Sequence, residues 1–239
     1  MVNPFHDEIL QLIKEHSGTP TQHTFLDSYL GNEHPRYPIS APKLRKIAQS
    51  WMREHRTLTA PEFTAMLTSL IEGKSSTEKC MAGIMMDYAT ADQRRFDPKL
   101  FDQWLDHLEG WAEVDAVCTG KYTIHELPAD WKKWAPLLKR FSKSKNINKR
   151  RASLVLLCSP VRHNDDESMA DAALENIMTL KAEKSVLITK AISWILRSMV
   201  KHHKKKVATF VDKNSDTLPA IAVRETRVVL KTGKKTRTV

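Results

Sequence analysis

Glycine is scarce in this sequence, and long apolar runs are missing. Only seven glycines occur in 239 residues, and no β-branched alternating runs bounded by turns are present, which argues against a sheet protein. No apolar run approaches the roughly 18 residues that span a bilayer. The first seven residues also lack the basic and apolar regions of a signal peptide. These absences predict a helical protein with no membrane partner.

Cysteine is scarce as well. Three cysteines at wide spacing do not suggest a disulfide framework, so a reduced, cytoplasmic protein is expected. Cys80, Cys118 and Cys158 are 38 and 40 residues apart, and none has the closely spaced partner that a zinc site requires. We interpret them as core residues, and His202 and His203 as a solvated pair. No metal site and no cofactor is predicted.

Charge of one sign dominates. Lysine and arginine total 38 against 28 acidic residues, which gives a net charge of +10 and a pI near 9.5. Such a balance predicts a polyanionic partner or an anionic membrane surface. Charge alone does not separate nucleic acid from ribosome or lipid.

Apolar residues recur at helical spacing along the whole chain. The pattern predicts roughly a dozen helices with short breaks, and therefore an all-α fold. One helix is expected at 25–30, one is expected to be capped by Ser40, and one is expected to open at Pro128. Near the C-terminus the pattern predicts a helix over 185–200 and a separate short one around 207–211.

Alternate helices carry features at a regular interval. Thr77, Asp115, Arg151 and Trp194 follow one another by 38, 36 and 43 residues. Helix-pair repeats of the HEAT or armadillo type have periods of about 40–47 residues. The spacing therefore favours a curved α-solenoid of HEAT-like helix pairs, whose concave face suits a large ligand. We predict one repeat domain over 1–230 and a basic C-terminal tail over 231–239.

An indole and a carboxylate share one helix face at Trp111 and Asp115, which are four residues apart. A charge is costly to bury, so this is an unusual choice for a packing surface. The simple interpretation is a boundary aspartate beside a core tryptophan. The functional interpretation makes Asp115 a reactive group.

A second pattern places a tryptophan among basic residues. Lys190, Trp194, Arg197 and Lys201 are spaced i, i+4, i+7 and i+11, which puts them on one helix stripe. Either these are cations that snorkel around a core indole, or they contact phosphates while the indole lies against a sugar or base.

Two further cations begin a predicted helix. Arg150 and Arg151 lie near the positive end of the helix dipole, where a cation is slightly unfavourable and an anionic partner is favourable. Either they are solvated, or they bind phosphate.

With these motifs the chain resembles the HEAT-like repeat DNA glycosylases of the AlkD type, which are DNA alkylation repair enzymes. The resemblance runs from about residue 5 to 230. It rests on Trp-x-x-x-Asp at 111–115, Arg-Arg-Ala at 150–152, Lys-Ala-Ile-Ser-Trp-Ile-Leu-Arg at 190–197 and the segment 39–45.

This resemblance implies particular roles. In that family the matching aspartate is catalytic, two tryptophans contact the deoxyribose of the lesion, and an arginine holds a nearby phosphate. By position these roles fall to Asp115, Trp111, Trp194 and Arg151. Arg150, Lys190, Arg197 and Lys201 are expected to bind DNA.

The resemblance also implies a reaction. The chain is expected to be a monomeric, monofunctional glycosylase that releases cationic alkylated purines, 3-alkyladenine and 7-alkylguanine, from duplex DNA without flipping the base into a pocket. The first alternative is a DNA-binding HEAT-repeat protein without excision activity. A third is a protein-interaction scaffold.

Overall fold

The chain folds into helices. The computed structural model describes residues 3–20 and 31–235, and every regular element within those ranges is helical. The all-α prediction is thereby confirmed. The helix predicted at 25–30 lies outside the described residues. The chain forms two compact units, Met1–Tyr122 and Thr123–Val239.

The first unit consists of two rows of helices. The helices are α1 (Pro4–Glu15), α2 (Ala41–Glu54), α3 (Ala60–Ile71), α4 (Ser76–Tyr88), α5 (Leu100–Trp104) and α6 (Gly110–Cys118). In one row α4 packs against both α2 and α6, while α1 and α3 form the second row. Capping boxes at Thr59 and Ser75 begin α3 and α4, because each hydroxyl and the glutamate three residues later satisfy end groups of the helix. Paired helices match the predicted packing.

The second unit repeats this arrangement. The helices are α7 (Lys121–Ala129), which contains the boundary between the units, α8 (Trp131–Ser142), α9 (Ile147–Cys158), α10 (Pro160–His163), α11 (Glu167–Leu180), α12 (Val186–Lys213) and α13 (Ala220–Thr232). Helix α9 packs against α8, α11 and α12, and α12 packs against α13. From Arg151 to Cys158 every residue of α9 is buried, as expected for a helix with neighbours on most of its sides.

Several local predictions need correction. Pro128 lies inside the end of α7 instead of opening the next helix, which begins at Trp131. The predicted helices at 185–200 and 207–211 form one helix, α12, with a kink at His203. His203 is also buried, and its Nδ1 lies 3.2 Å from Glu167. The sequence pattern did not predict one continuous helix here, because the stretch after Val200 is rich in lysine. The buried face of α12 beyond that point consists only of His203, Val207 and Val211. Ser40 is at the N-cap of α2, but its side chain makes no capping hydrogen bond.

The cysteines lie where the repeat spacing predicts. Cys118 and Cys158 are buried, Cys80 is half-buried, and none forms a disulfide. No described helix is long and apolar enough to cross a membrane.

Candidate active site

The first unit contains a pocket of about 530 Å³ beside α6. Its walls come from residues 32–45, α4 and α6, and apolar side chains supply most of its lining. Trp111 and Asp115, which were predicted to share a helix face, both line this pocket. Trp111 is 36% exposed, and Asp115 is half-buried. A core role for this indole is therefore excluded.

A buried carboxylate fixes the start of α6. Glu113 is fully buried and accepts hydrogen bonds from Asn32 Nδ2 at 2.8 Å and from the backbone N–H of Glu109 at 2.8 Å, and it lies 3.0 Å from His34 Nδ1. Asn32 also donates to the Ser76 hydroxyl at 2.8 Å. The network joins the segment before α2 to the first turns of α4 and α6, and so it orients the helix that carries Asp115.

The backbones of α4 and α6 meet at Gly83. A Cβ atom at this position would lie 2.0 Å from the carbonyl oxygen of Ala116, so glycine alone permits this approach. Asp115 precedes Ala116 directly. The depth of Asp115 in the pocket therefore depends on the contact at Gly83.

A second carboxylate in the pocket has a structural role. Asp87 accepts a hydrogen bond from the Lys121 backbone N–H at 2.9 Å, and its other oxygen lies 3.6 Å from Arg45. Gly120 has a φ of +98° and packs closely against Asp87, because a Cβ atom added at this position would lie 2.1 Å from Asp87 Oδ1. Asp87 thus caps the start of α7 and neutralises Arg45.

The pocket also includes a cation that the sequence motifs did not single out. Arg36 lines the pocket with Asp115 and is half-buried. The pKa of the Cys80 thiol reports on both groups: burial and Glu113 raise it to about 12, the Ser76 hydrogen bond and Arg36 act to lower it, and Asp115 acts to raise it. Arg36 lies in a loop, where no helical spacing marks it.

The second unit has its own pocket, of about 420 Å³, and its lining is strongly basic. Trp194, Arg197 and Lys201 of the predicted stripe line it, whereas Lys190 is not among its lining residues. Three cations that were not predicted also line this basic pocket, namely Arg162, Lys204 and Lys235. Lys235 lies in the predicted basic tail over 231–239, of which Lys231 and Thr232 still belong to α13. Trp194 is half-buried at this cavity, which favours the functional interpretation over cations that snorkel around a core indole.

Acidic Glu225 holds part of the stripe in place. Arg197 Nε lies 3.3 Å from Glu225, and Ser193 Oγ donates to the same carboxylate at 2.6 Å. Although burial acts to raise the pKa of Glu225, the Ser193 hydrogen bond and the charges of Arg197, Lys235 and Lys190 together lower it. Lys190 itself is exposed. Arg197 is therefore positioned by its neighbours, and the lysines carry the accessible charge.

Arg150 and Arg151 make internal contacts. Arg150 forms a two-pronged ion pair with Glu183, at 2.7 and 3.2 Å, and donates to the carbonyls of Ser144 and Lys145. Arg151 is 4% exposed and donates to the carbonyl of Leu187. These contacts link α9 to α12 and to Glu183 in the loop that precedes α12. They favour structural roles for Arg150 and Arg151 over the DNA contacts predicted for both residues.

A helical fold with a carboxylate and an indole at one pocket, and basic residues at another, suits a class of proteins that act on nucleic acid. The comparison with families is more specific. Residues 10–229 match the family described as DNA alkylation repair enzyme, and the chain belongs to that family. Membership supports a role in DNA repair.

A solved structure has the same fold. The chain is similar to a predicted DNA alkylation repair enzyme from Enterococcus faecalis, with a TM-score of 0.70 and 18% identity, over 87% of this chain and 93% of that chain. At this identity the likeness extends to the fold alone. No curated protein matches the sequence.

Proposed function

We propose that this protein is a monofunctional DNA glycosylase that hydrolyses the N-glycosidic bond of cationic alkylated purines in duplex DNA. The observation that carries the proposal is the pocket of the first unit, where the half-exposed face of Trp111 and the carboxylate of Asp115 lie together. Membership in a DNA alkylation repair family supports DNA as the substrate, and we propose alkylated purines as the lesion.

The proposed chemistry needs few groups. Alkylation at N3 of adenine or N7 of guanine makes the base cationic and weakens its bond to the sugar. As that bond breaks, its electron pair leaves with the base, which becomes neutral, and positive charge develops on the sugar ring. A carboxylate stabilises this charge, as in glycoside hydrolysis. Water then adds to the anomeric carbon and loses a proton to solvent, which completes the hydrolysis. A carboxylate about 4 Å away at an effective dielectric of about 20 contributes roughly 4 kcal/mol. Felt mainly in the transition state, this accelerates the reaction roughly a thousandfold.

The aromatic face adds selectivity. Trp111 presents an exposed indole next to Asp115, and an indole attracts a cation over its ring by about 0.5–2 kcal/mol. An alkylated purine or the developing sugar cation fits this description, whereas an undamaged nucleotide does not. We assign Trp111 to the substrate and Asp115 to the reacting sugar.

Binding of the duplex is assigned to the basic pocket of the second unit. Lys201 and Lys204 are exposed cations beside Trp194, and Arg162 and Lys235 extend the charge. Phosphate contacts of this kind supply affinity without reading sequence. Lys190 lies on the same helix, one turn before Trp194, and extends the same surface.

The test is release of 7-methylguanine and 3-methyladenine from methylated duplex DNA under single-turnover conditions. We expect Asp115→Asn to reduce the rate about a thousandfold with little change in DNA affinity. Asp87→Asn is the matched control, because it removes a charge from the same pocket yet keeps the oxygen that caps α7. Equal release by wild type and Asp115→Asn would exclude Asp115 from the mechanism.

The second candidate is a DNA-binding protein without excision activity, and the basic pocket favours it independently of Asp115. Wild-type protein that binds duplex DNA but never releases a base would establish this candidate. Weak binding that persists unchanged when Lys201 is replaced by alanine would contradict both candidates and favour a protein-interaction scaffold.

A further inference from the structure

We propose that Arg36 is a positioning residue of the Asp115 site, and that its guanidinium keeps the Asp115 carboxylate ionised and oriented toward the substrate. The inference rests on the proposed function, because it concerns the group assigned there to the reacting sugar. Neither the family motifs nor the helical spacing marks Arg36.

The backbone on each side of Arg36 is fixed. The carbonyl of Pro35 accepts a hydrogen bond from the Ser76 N–H at 2.9 Å, and the Tyr37 N–H donates to the Thr77 hydroxyl at 3.0 Å. Both partners belong to the first turn of α4. These bonds fix the backbone from which the Arg36 side chain extends, so the entropy still to be lost on ordering is that of the side chain alone.

Arg36 and Asp115 line the same pocket, together with Cys80. Their charges act on the pKa of the Cys80 thiol with opposite sign, since Arg36 acts to lower it and Asp115 to raise it. The Cys80 sulfur lies 3.8 Å from the carbonyl oxygen of Ala112, one turn before Asp115 on α6. Arg36 and α6 thus both border the first turns of α4, beside the pocket.

The other charges near the pocket have assigned partners. On α2 and α4, Arg45 faces Asp87, whose second oxygen caps α7. Beneath α6, Glu113 is satisfied by Asn32, His34 and the Glu109 N–H. On α4, Lys79 donates to the carbonyl of Ile71, and Glu78 bonds with Ser75 and His6.

Two protic groups in the pocket stay neutral near pH 7. Burial and Glu78 raise the pKa of Tyr37 above 10.0, and that of Cys80 is about 12. Two arginines line the pocket among the described residues, and Arg45 faces Asp87, so we assign Arg36 to Asp115.

The proposed role has a measurable size. An opposite charge within about 4–6 Å lowers the pKa of a carboxyl group by roughly 1–3 units. We therefore expect removal of the guanidinium to favour the protonated form of Asp115, so that the ionised fraction falls at acid pH. The rate of base release should fall with it, and most steeply on the acid side of the profile.

The first arm of the experiment measures the pH dependence of single-turnover base release for wild type, Arg36→Gln and Arg36→Lys. We expect the acid limb to move up by about one pH unit or more in Arg36→Gln, and by less in Arg36→Lys, which keeps the charge. Arg45→Gln is the control, since that arginine faces Asp87 and is more than half exposed. A uniformly lower rate with an unmoved acid limb would overturn the proposal.

The second arm needs no catalysis. Carbon-13 labelled aspartate allows the Asp115 carboxyl to be titrated by NMR, with Asp115→Asn giving the assignment. We expect its pKa to rise in Arg36→Gln; an unchanged value overturns the proposal. If Arg36→Gln does not fold, the wild-type titration decides, and a pKa at or above the ordinary value of about 3.9 would overturn it. Absence of base release by wild type would count against the proposed function alone.

Discussion

The contact between α4 and α6 at Gly83 offers a test of how the site is held. In Gly83→Ala the new Cβ would lie 2.0 Å from the Ala116 oxygen, 2.3 Å from its carbonyl carbon and 2.8 Å from the Val117 nitrogen. Ordinary contacts begin at 3.4 Å, so the two helices must separate by at least 1.4 Å at this point (3.4 − 2.0). Backbone atoms cannot swing aside as a side chain can.

Two energies oppose each other in this variant. Alanine favours the helical state by about 1 kcal/mol over glycine, whereas overpacking costs roughly 1–3 kcal/mol. Because the clash is with backbone, we expect the upper part of that range and a net loss of about 2 kcal/mol. In a chain of this length such a loss lowers Tm by about 4–8 °C.

Gly83→Ala should reduce the rate of base release by more than its loss of stability alone would. Asp115 moves with Ala116, and a displacement of about 1 Å can reduce a rate by about a hundredfold. The assays are thermal unfolding by circular dichroism and single-turnover base release well below Tm. Gly18→Ala is the control, because its Cβ would meet only Pro38 Cγ at an ordinary 3.5 Å. A Gly83→Ala protein with wild-type Tm and wild-type release would refute the reasoning.

Two other predictions concern charge. Lys204→Ala should reduce the slope of log affinity for duplex DNA against log salt concentration by about 0.9. The control is Lys132→Ala, which replaces an exposed lysine of α8 outside the basic pocket and should leave the slope unchanged. Equal slopes for the two variants would contradict the assignment. Burial acts to raise the pKa of Glu78, but hydrogen bonds from His6 and Ser75 lower it overall. Its stabilising contribution is therefore present above the ordinary pKa of 4.5 and lost as pH falls through the lowered one. In urea unfolding, the stability difference between wild type and Glu78→Gln should shrink below pH 4.5; a constant difference would contradict this.

The fold could be predicted from the sequence because its information is local. Apolar residues at helical spacing mark one face of each helix, and the interval from Thr77 to Asp115 reflects the row formed by α4 and α6. The same spacing placed Trp111 and Asp115 on one face, and Trp194, Arg197 and Lys201 on another. Both sets line pockets in the structure.

What the sequence did not disclose depends on partners that are distant along the chain. In the sequence Arg150 resembles an accessible cation, but in the folded chain its Nε donates to Glu183 at 2.7 Å. Glu113 looks like a surface acid in the first turn of α6 and is fully buried by Asn32 and His34. Arg36 has no periodic neighbours at all. Each of these residues takes its role from tertiary contacts, which spacing cannot encode.

The pocket chemistry limits which base the proposed reaction can release. A neutral purine leaves slowly unless an acid protonates it, and an effective general acid has a pKa near the working pH. Tyr37 and Cys80 hold their protons too tightly, with pKa values raised above 10.0 and to about 12. Asp87 is an acceptor of the Lys121 N–H and faces Arg45, so it is poorly suited to donate. A base that arrives already cationic needs no proton, and the proposed mechanism therefore requires only the single carboxylate of Asp115. Selection of damaged purines would then lie in the leaving group itself, and the protein need only supply charge, an aromatic face and a hold on the duplex.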